Sequence, residues 1–216
     1  MSKTKMIAIV ATGIIVALVL IVSNFNIEIN VNNNGSATKN ASQQADSMDS
    51  HHGGGTAVDS AVFDSLVDKS APDFTLENYD GKKVTLSGLK GQSVILFFNE
   101  GLMCYPSCWN QIAAFGKDSE ISKKAVILSI TVDPQKDWNY AVNKMPELAK
   151  ATVLFDTAGE VSKSYGVLTL PSSMHKGQYP GHSYVLIDKE GVVRFVRDDV
   201  SMAVRNSELS AELEKI

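Results

Sequence analysis

The chain has 216 residues, 44% of them hydrophobic and 20% charged, and carries a net charge of −4. That length allows one core-bearing domain with appendages. The mild acidity and the scatter of Arg194, Arg197 and Arg205 exclude a phosphate-binding stripe, so no nucleic-acid partner is expected.

Met6 to Val22 is an uncharged apolar run preceded by Lys3 and Lys5. As a helix rising about 1.5 Å per residue it is roughly 25 Å long, in the lower range for a membrane span. No Lys or Arg follows it until Lys39. The expectation is a cytoplasmic tip (1–5), a single-pass anchor in the cell membrane (6–22) and an extracytoplasmic remainder. A cleaved signal peptide is the competing reading, but no small-residue cleavage pattern follows Val22. Residues 23–60, rich in Asn, Ser, Gly, Ala and Gln, read as a flexible linker. Within it, Phe25, Ile27, Ile29 and Val31 read as an extended segment, and His51-His52 before three glycines as a loop.

Residues 61–216 carry the pattern of a folded domain long enough to bury a core. Phe74 to Leu76 and Val84 to Leu86, joined across an Asp80-Gly81 turn, predict a hairpin. Val94 to Phe98 predicts a buried strand, and Pro106 to Phe115 a helix with Trp109, Ile112 and Phe115 on one side. Ala125 to Val132 is a β-branched run, Asp137 to Leu148 is helical, Thr152 to Phe155 is a short strand, and Glu160 to Tyr165 a short helix. A second hairpin, Tyr184 to Ile187 with Val192 to Val196, turns at Lys189-Glu190-Gly191, and a last helix starts near Ser207. Strands alternating with helices indicate an α/β fold with a mixed sheet.

The chain's two cysteines, Cys104 and Cys108, both fall where the predicted strand hands over to the predicted helix. A helix N-terminus presents unpaired N–H groups and the positive end of a dipole, which favour a thiolate. Side chains three or four apart share a helical face, so the pair suits a disulfide or the chelation of one metal ion; spacing alone does not choose. Cys104, at the mouth of the helix, takes the attacking role and Cys108 the resolving role. A static disulfide staple is the plainer alternative, although so short a loop removes little chain entropy.

Ala71-Pro72-Asp73-Phe74-Thr75-Leu76, Gly81-Lys82-Lys83-Val84-Thr85-Leu86, Phe97-Phe98, the cysteines, Tyr165-Gly166-Val167 and the segment Val185 to Arg194 together resemble the redoxin branch of the thioredoxin fold. The chain is similar to the alkyl hydroperoxide reductase and thiol-specific antioxidant group, over about residues 68–197. The resemblance implies a thioredoxin-like fold with an N-terminal hairpin extension, a dithiol active site, an external thiol reductant, and a disulfide or peroxide substrate, with no cofactor. A peroxiredoxin of this group carries Thr three residues before its reactive cysteine, a place held here by Gly101 for Cys104 and Tyr105 for Cys108. The group's Arg beside the thiolate corresponds to His182. These departures rank general thiol redox chemistry ahead of peroxide reduction.

Three residues between the cysteines and a histidine downstream also resemble the Sco-type copper-binding proteins. That resemblance implies an alternative, a copper-binding chaperone whose ligands are Cys104, Cys108 and His182, a soft set suited to Cu(I). Other candidates are auxiliary. Glu100 could take a proton from a cysteine if buried, against the plainer reading of a solvated loop carboxylate. Tyr105, between the cysteines, is expected at the rim as a substrate-facing surface. Pro171 or Pro180 is a candidate for the cis proline that thioredoxin folds place against the dithiol.

Overall fold

The computed structural model describes residues 60–216. The expected anchor at 6–22, nearly all of the linker, the alternation from Phe25 to Val31 and His51-His52 lie outside the described residues. No helix among the described residues is long and apolar enough to cross a membrane.

A seven-stranded mixed sheet organises the described residues. In chain order the elements are α1 (Ala61–Asp64), β1 (Thr75–Asn78), β2 (Lys83–Thr85), β3 (Val94–Phe98), α2 (Ser107–Lys117), α3 (Ser119–Lys124), β4 (Val126–Thr131), α4 (Trp138–Lys144), β5 (Val153–Phe155), α5 (Glu160–Ser164), β6 (Ser183–Ile187), β7 (Val193–Asp198) and α6 (Asn206–Leu213). The sheet order is β2-β1-β5-β4-β3-β6-β7, with β3, β4 and β5 parallel and β6 antiparallel to β3. A parallel centre with hairpins at both edges is the mixed sheet expected of a thioredoxin-like fold with an N-terminal hairpin extension.

Strand β3 explains how the core is divided. Successive side chains in a strand point to opposite faces, so Ile95 and Phe97 pack with Trp109, Ile112, Phe115 and Trp138 on one side. Val94, Leu96 and Phe98 pack with Leu128, Ile130, Leu154 and Tyr165 on the other. A strand covered on both faces reads as an unbroken apolar run, and every residue of β3 is buried. Complete burial of one large apolar side chain is worth roughly 1.5–3 kcal/mol, so β3 is a rigid base for whatever follows it.

Two expectations need correction, and one helix has no counterpart among them. The helix foreseen from Asp137 to Leu148 is split into α4 and a 3-10 turn, Pro146–Lys150, because Pro146 lacks an N–H and pushes Met145 out of helical geometry. Helix α3 was not foreseen, since Ile121 is its one buried residue; its start is fixed by Asp118, whose carboxylate accepts the Glu120 and Ile121 N–H groups at 3.1 and 3.2 Å. The cis peptide bond among the described residues is Tyr105–Pro106, not the bond before Pro171 or Pro180.

Candidate active site

Beyond β3 the chain turns sharply, and each step of the turn has a partner. The Asn99 side chain accepts the Gly101 N–H at 2.9 Å while its amide donates to the Ile130 carbonyl at 3.2 Å, closing an Asx turn at the strand end. Gly101 sits at φ +56°, where a Cβ would lie 1.7 Å from Asp133 Oδ2 and 2.1 Å from Thr131 Oγ1. Only glycine fits this approach. Asp133 Oδ2 in turn accepts the Leu102 N–H at 2.8 Å and the Thr131 hydroxyl at 2.7 Å. Burial pushes the Asp133 carboxyl up, against the pull of those two donors. From the other side, Trp109 Nε1–H donates to the Gly101 carbonyl at 2.9 Å. The result is a clamped 3-10 turn, Gly101–Cys104, that delivers Cys104 to the mouth of α2.

Cys104 and Cys108 are joined in a disulfide with their Cα atoms 5.4 Å apart. Cys104 is 4% exposed and Cys108 is 0% exposed, so the two residues differ less in burial than in what stands behind them. Behind Cys108 lies His182, entirely buried at the entry to β6, with Nδ1 3.5 Å from Cys108 Sγ. The imidazole packs edge-on against Phe97, centroids 4.7 Å apart. Burial lowers the His182 pKa to about 4; the nearby Asp199 carboxylate and an Ala203 backbone hydrogen bond oppose that shift, and the Arg205 guanidinium adds to it. At neutral pH the ring is uncharged.

The far side of the ring carries a chain of hydrogen bonds. His182 Nε2 is 2.8 Å from the Tyr184 hydroxyl, which donates to Gln111 Oε1 at 3.0 Å. Sequence reasoning singled out neither Tyr184 nor Gln111. Both had a signal, since Tyr184 is two residues from His182 along a strand and Gln111 is three from Cys108 along a helix, so each shares its neighbour's face. Asp199 closes the region. Burial works to raise its pKa, but the Arg205 guanidinium, at 2.8 and 2.9 Å, the Ser201 hydroxyl and the Ala203 N–H hold it well below the usual carboxylate range.

The auxiliary candidates separate. Glu100 is 1% exposed, and its carboxylate accepts the N–H groups of Met174 and His175 at 2.6 and 3.1 Å and stands 3.2 Å from His175 Nδ1. Its acceptor capacity is spent on the loop Ser172–His175, which it ties to the turn before Cys104. Tyr105 is 50% exposed, edge-on to Trp109 at 4.9 Å, with Lys144 Nζ 3.9 Å from its ring centroid. Pro171 is exposed; beyond it the Ser172 N–H donates to the Asp198 carboxylate and the Ser173 hydroxyl to the Tyr179 carbonyl.

Cys104, Cys108 and His182 bring one sulfur or nitrogen atom each within 4.8 Å of one another, the three residues of the copper alternative. In the structure the two sulfurs are bonded to each other, which is the oxidised form of a dithiol with an imidazole alongside.

Residues 67–196 match the family model described as the AhpC/TSA family. Among curated proteins, the chain is 34% identical over 125 residues to chloroplastic peroxiredoxin Q of Suaeda salsa, covering 58% of this chain and 56% of that protein. It is 34% identical over 134 residues to peroxiredoxin Bcp of Escherichia coli K12, covering 60% of this chain and 83% of that protein. The chain thus spans a little over half the length of the chloroplast relative. Among solved structures, peroxidoxin BcpB of Mycobacterium tuberculosis superposes with a TM-score of 0.57 at 21% identity, over 69% of this chain and 97% of that one. AhpC of Enterococcus faecalis gives 0.60 at 16% identity, over 69% and 91%. These two likenesses concern the fold.

The same comparisons correct the expected location. The relatives are chloroplastic peroxiredoxin Q and a bacterial Bcp, and no described helix can span a bilayer. The single-pass placement in the cell membrane with an extracytoplasmic domain is therefore withdrawn.

Proposed function

The chain belongs to the AhpC/TSA family, and from that premise we propose that it is a thiol-dependent oxidoreductase of the peroxiredoxin type, acting through Cys104 and Cys108. The single observation that carries the reading is the Cys104–Cys108 disulfide at the strand-helix junction, inside the segment the family model covers. Cys104 as thiolate attacks the terminal oxygen of a peroxide; the O–O bond breaks, the sulfur becomes a sulfenic acid, and an alcohol or water leaves. The Cys108 thiol then displaces that oxygen as water and forms the disulfide. An external dithiol reopens it, attacking Cys104 Sγ so that Cys108 leaves, and carries away both oxidising equivalents as its own disulfide.

Access favours a small oxidant over a folded disulfide substrate. Cys108 is fully buried and Cys104 keeps 4% of its residue surface, so a small peroxide meets less obstruction at Cys104 than a folded protein does. His182, uncharged and buried, stands 3.5 Å from Cys108 Sγ, where a neutral imidazole can serve the resolving thiol.

The test is turnover of the full-length chain with peroxide and a dithiol, for wild type, Cys104→Ser and Cys108→Ser, beside a Cu(I) titration of reduced wild type and His182→Ala. Turnover that both serine variants abolish supports the reading. Tight Cu(I) binding that depends on His182, in a protein that turns over neither peroxide nor disulfide, overturns it in favour of copper handling.

A further inference from the structure

The hydrogen-bond chain behind Cys108 can be read for direction, because both of its far ends are groups that only donate or only accept. Asn206 Nδ2 faces the Ala114 carbonyl at 3.2 Å and the Asp118 carboxylate at 3.0 Å. Both are acceptors, so the Asn206 amide nitrogen lies there and its oxygen faces Gln111. Gln111 Nε2 donates to that oxygen at 2.8 Å. Independently, the backbone N–H of Arg205, which can only donate, lies 2.7 Å from the other end of the Gln111 amide, fixing that end as Oε1.

Tyr184 therefore has acceptors on two sides, Gln111 Oε1 at 3.0 Å and the Ala203 carbonyl at 3.4 Å. Its one hydroxyl proton goes to Gln111 Oε1, the nearer of the two. Toward His182 Nε2, at 2.8 Å, the phenol oxygen then presents only a lone pair, and Nε2 must carry the hydrogen. The opposite arrangement would turn the hydroxyl proton to Nε2 and leave two oxygens 3.0 Å apart with no proton between them, in a fully buried site where such a loss is costly.

We propose that Tyr184 is a positioning residue that holds His182 as the Nε2–H tautomer and so aims the Nδ1 lone pair at Cys108 Sγ. The inference rests on the redox reading above and adds to it the base for the resolving step. In the reduced protein the Cys108 S–H points at a hydrogen-bond acceptor 3.5 Å away in the oxidised geometry. When Cys104 carries a sulfenic acid, the Cys108 proton passes to Nδ1, the Cys108 sulfur bonds to Cys104 Sγ, the S–O bond breaks, and the leaving hydroxide takes that proton as water. The ring returns neutral. Tyr184 touches no reacting atom; it acts through the tautomer it enforces.

The experiment has two readouts on the full-length chain. Nitrogen-15 NMR of oxidised wild type is expected to show His182 with a protonated Nε2 and a bare Nδ1, and Tyr184→Phe to relax that preference; the phenyl ring keeps the stacking on Phe97 at 4.9 Å. In stopped flow, Tyr184→Phe is expected to slow conversion of the Cys104 sulfenic acid to the disulfide by roughly tenfold, the equivalent of one hydrogen bond's tautomer preference. A wild-type spectrum with the hydrogen on Nδ1, or disulfide closure in Tyr184→Phe at the wild-type rate, overturns the proposal. Failure of wild type to form the Cys104–Cys108 disulfide with peroxide is a different result, which overturns the redox reading itself.

Discussion

Cys108 Sγ lies 3.5 Å from His182 Nδ1, a contact that joins residues 74 apart in sequence and gives the two sulfurs of one disulfide different chemical neighbours. Cys104 ends a turn whose flanking Met103 and Tyr105 are exposed, whereas Cys108 backs onto a buried imidazole. A short cysteine spacing can be a staple, but a staple has no use for a polar ring sealed behind one sulfur. The asymmetry is what a dithiol needs to separate an attacking from a resolving role.

Acid should expose the cost of keeping His182 neutral. Its folded pKa, lowered by burial to about 4, lies below the ordinary histidine value of about 6.5. A depressed value means that the stability is fully present above about pH 6.5 and is lost as pH falls through about 4, because the unfolded chain binds the proton first. The loss is on the order of 3 kcal/mol. Buried Asp133 and half-buried Asp198, whose pKa values are raised, work in the opposite direction. The comparison is therefore between wild type and His182→Gln: denaturation midpoints should fall more steeply for wild type between pH 6.5 and 4. Parallel curves would mean that His182 is not held neutral.

Gly101 should tolerate no side chain. An added Cβ meets Asp133 Oδ2 at 1.7 Å and Thr131 Oγ1 at 2.1 Å, and φ is +56°. Overpacking and left-handed strain together put Gly101→Ala at about 3 kcal/mol destabilising. Chemical denaturation measures it; a cost under about 1 kcal/mol would show that the turn before Cys104 is not clamped as described.

Glu100→Gln should loosen the loop Ser172–His175 while leaving the disulfide in place. The substitution removes the charge that receives the Met174 and His175 N–H groups, and bonds to charged acceptors are about twice as strong as neutral ones. Amide exchange at Met174 and His175 should accelerate by roughly tenfold. Unchanged protection at both amides would assign the ordering of the loop to its other bonds, Ser172 to Asp198 and Ser173 to Tyr179.

Much of this was legible in the chain itself, and the reasons differ by element. Strand β3 was readable because it is buried on both faces and shows as an unbroken apolar run; the split of the expected 137–148 helix was signalled by Pro146. Glu100 read as a solvated loop carboxylate because burial of a loop residue is decided by partners far along the chain, here 74 and 75 residues away. His182 was singled out, yet Tyr184 and Gln111 were not, although strand and helix periodicity put them on the same faces as His182 and Cys108. The tautomer could not be read at all, since it depends on Asn206 and the Arg205 backbone, which reach Gln111 only in the folded chain.

The most direct measurement is a single-equivalent peroxide titration of the fully reduced protein, followed by thiol counting and peptide mapping. The account predicts loss of both thiols with a Cys104–Cys108 disulfide in wild type, and a sulfenic acid on Cys104, captured by a dimedone-type reagent, in Cys108→Ser. Thiols that survive the peroxide, or a sulfenic acid that forms on Cys108 in Cys104→Ser but never on Cys104, would contradict it.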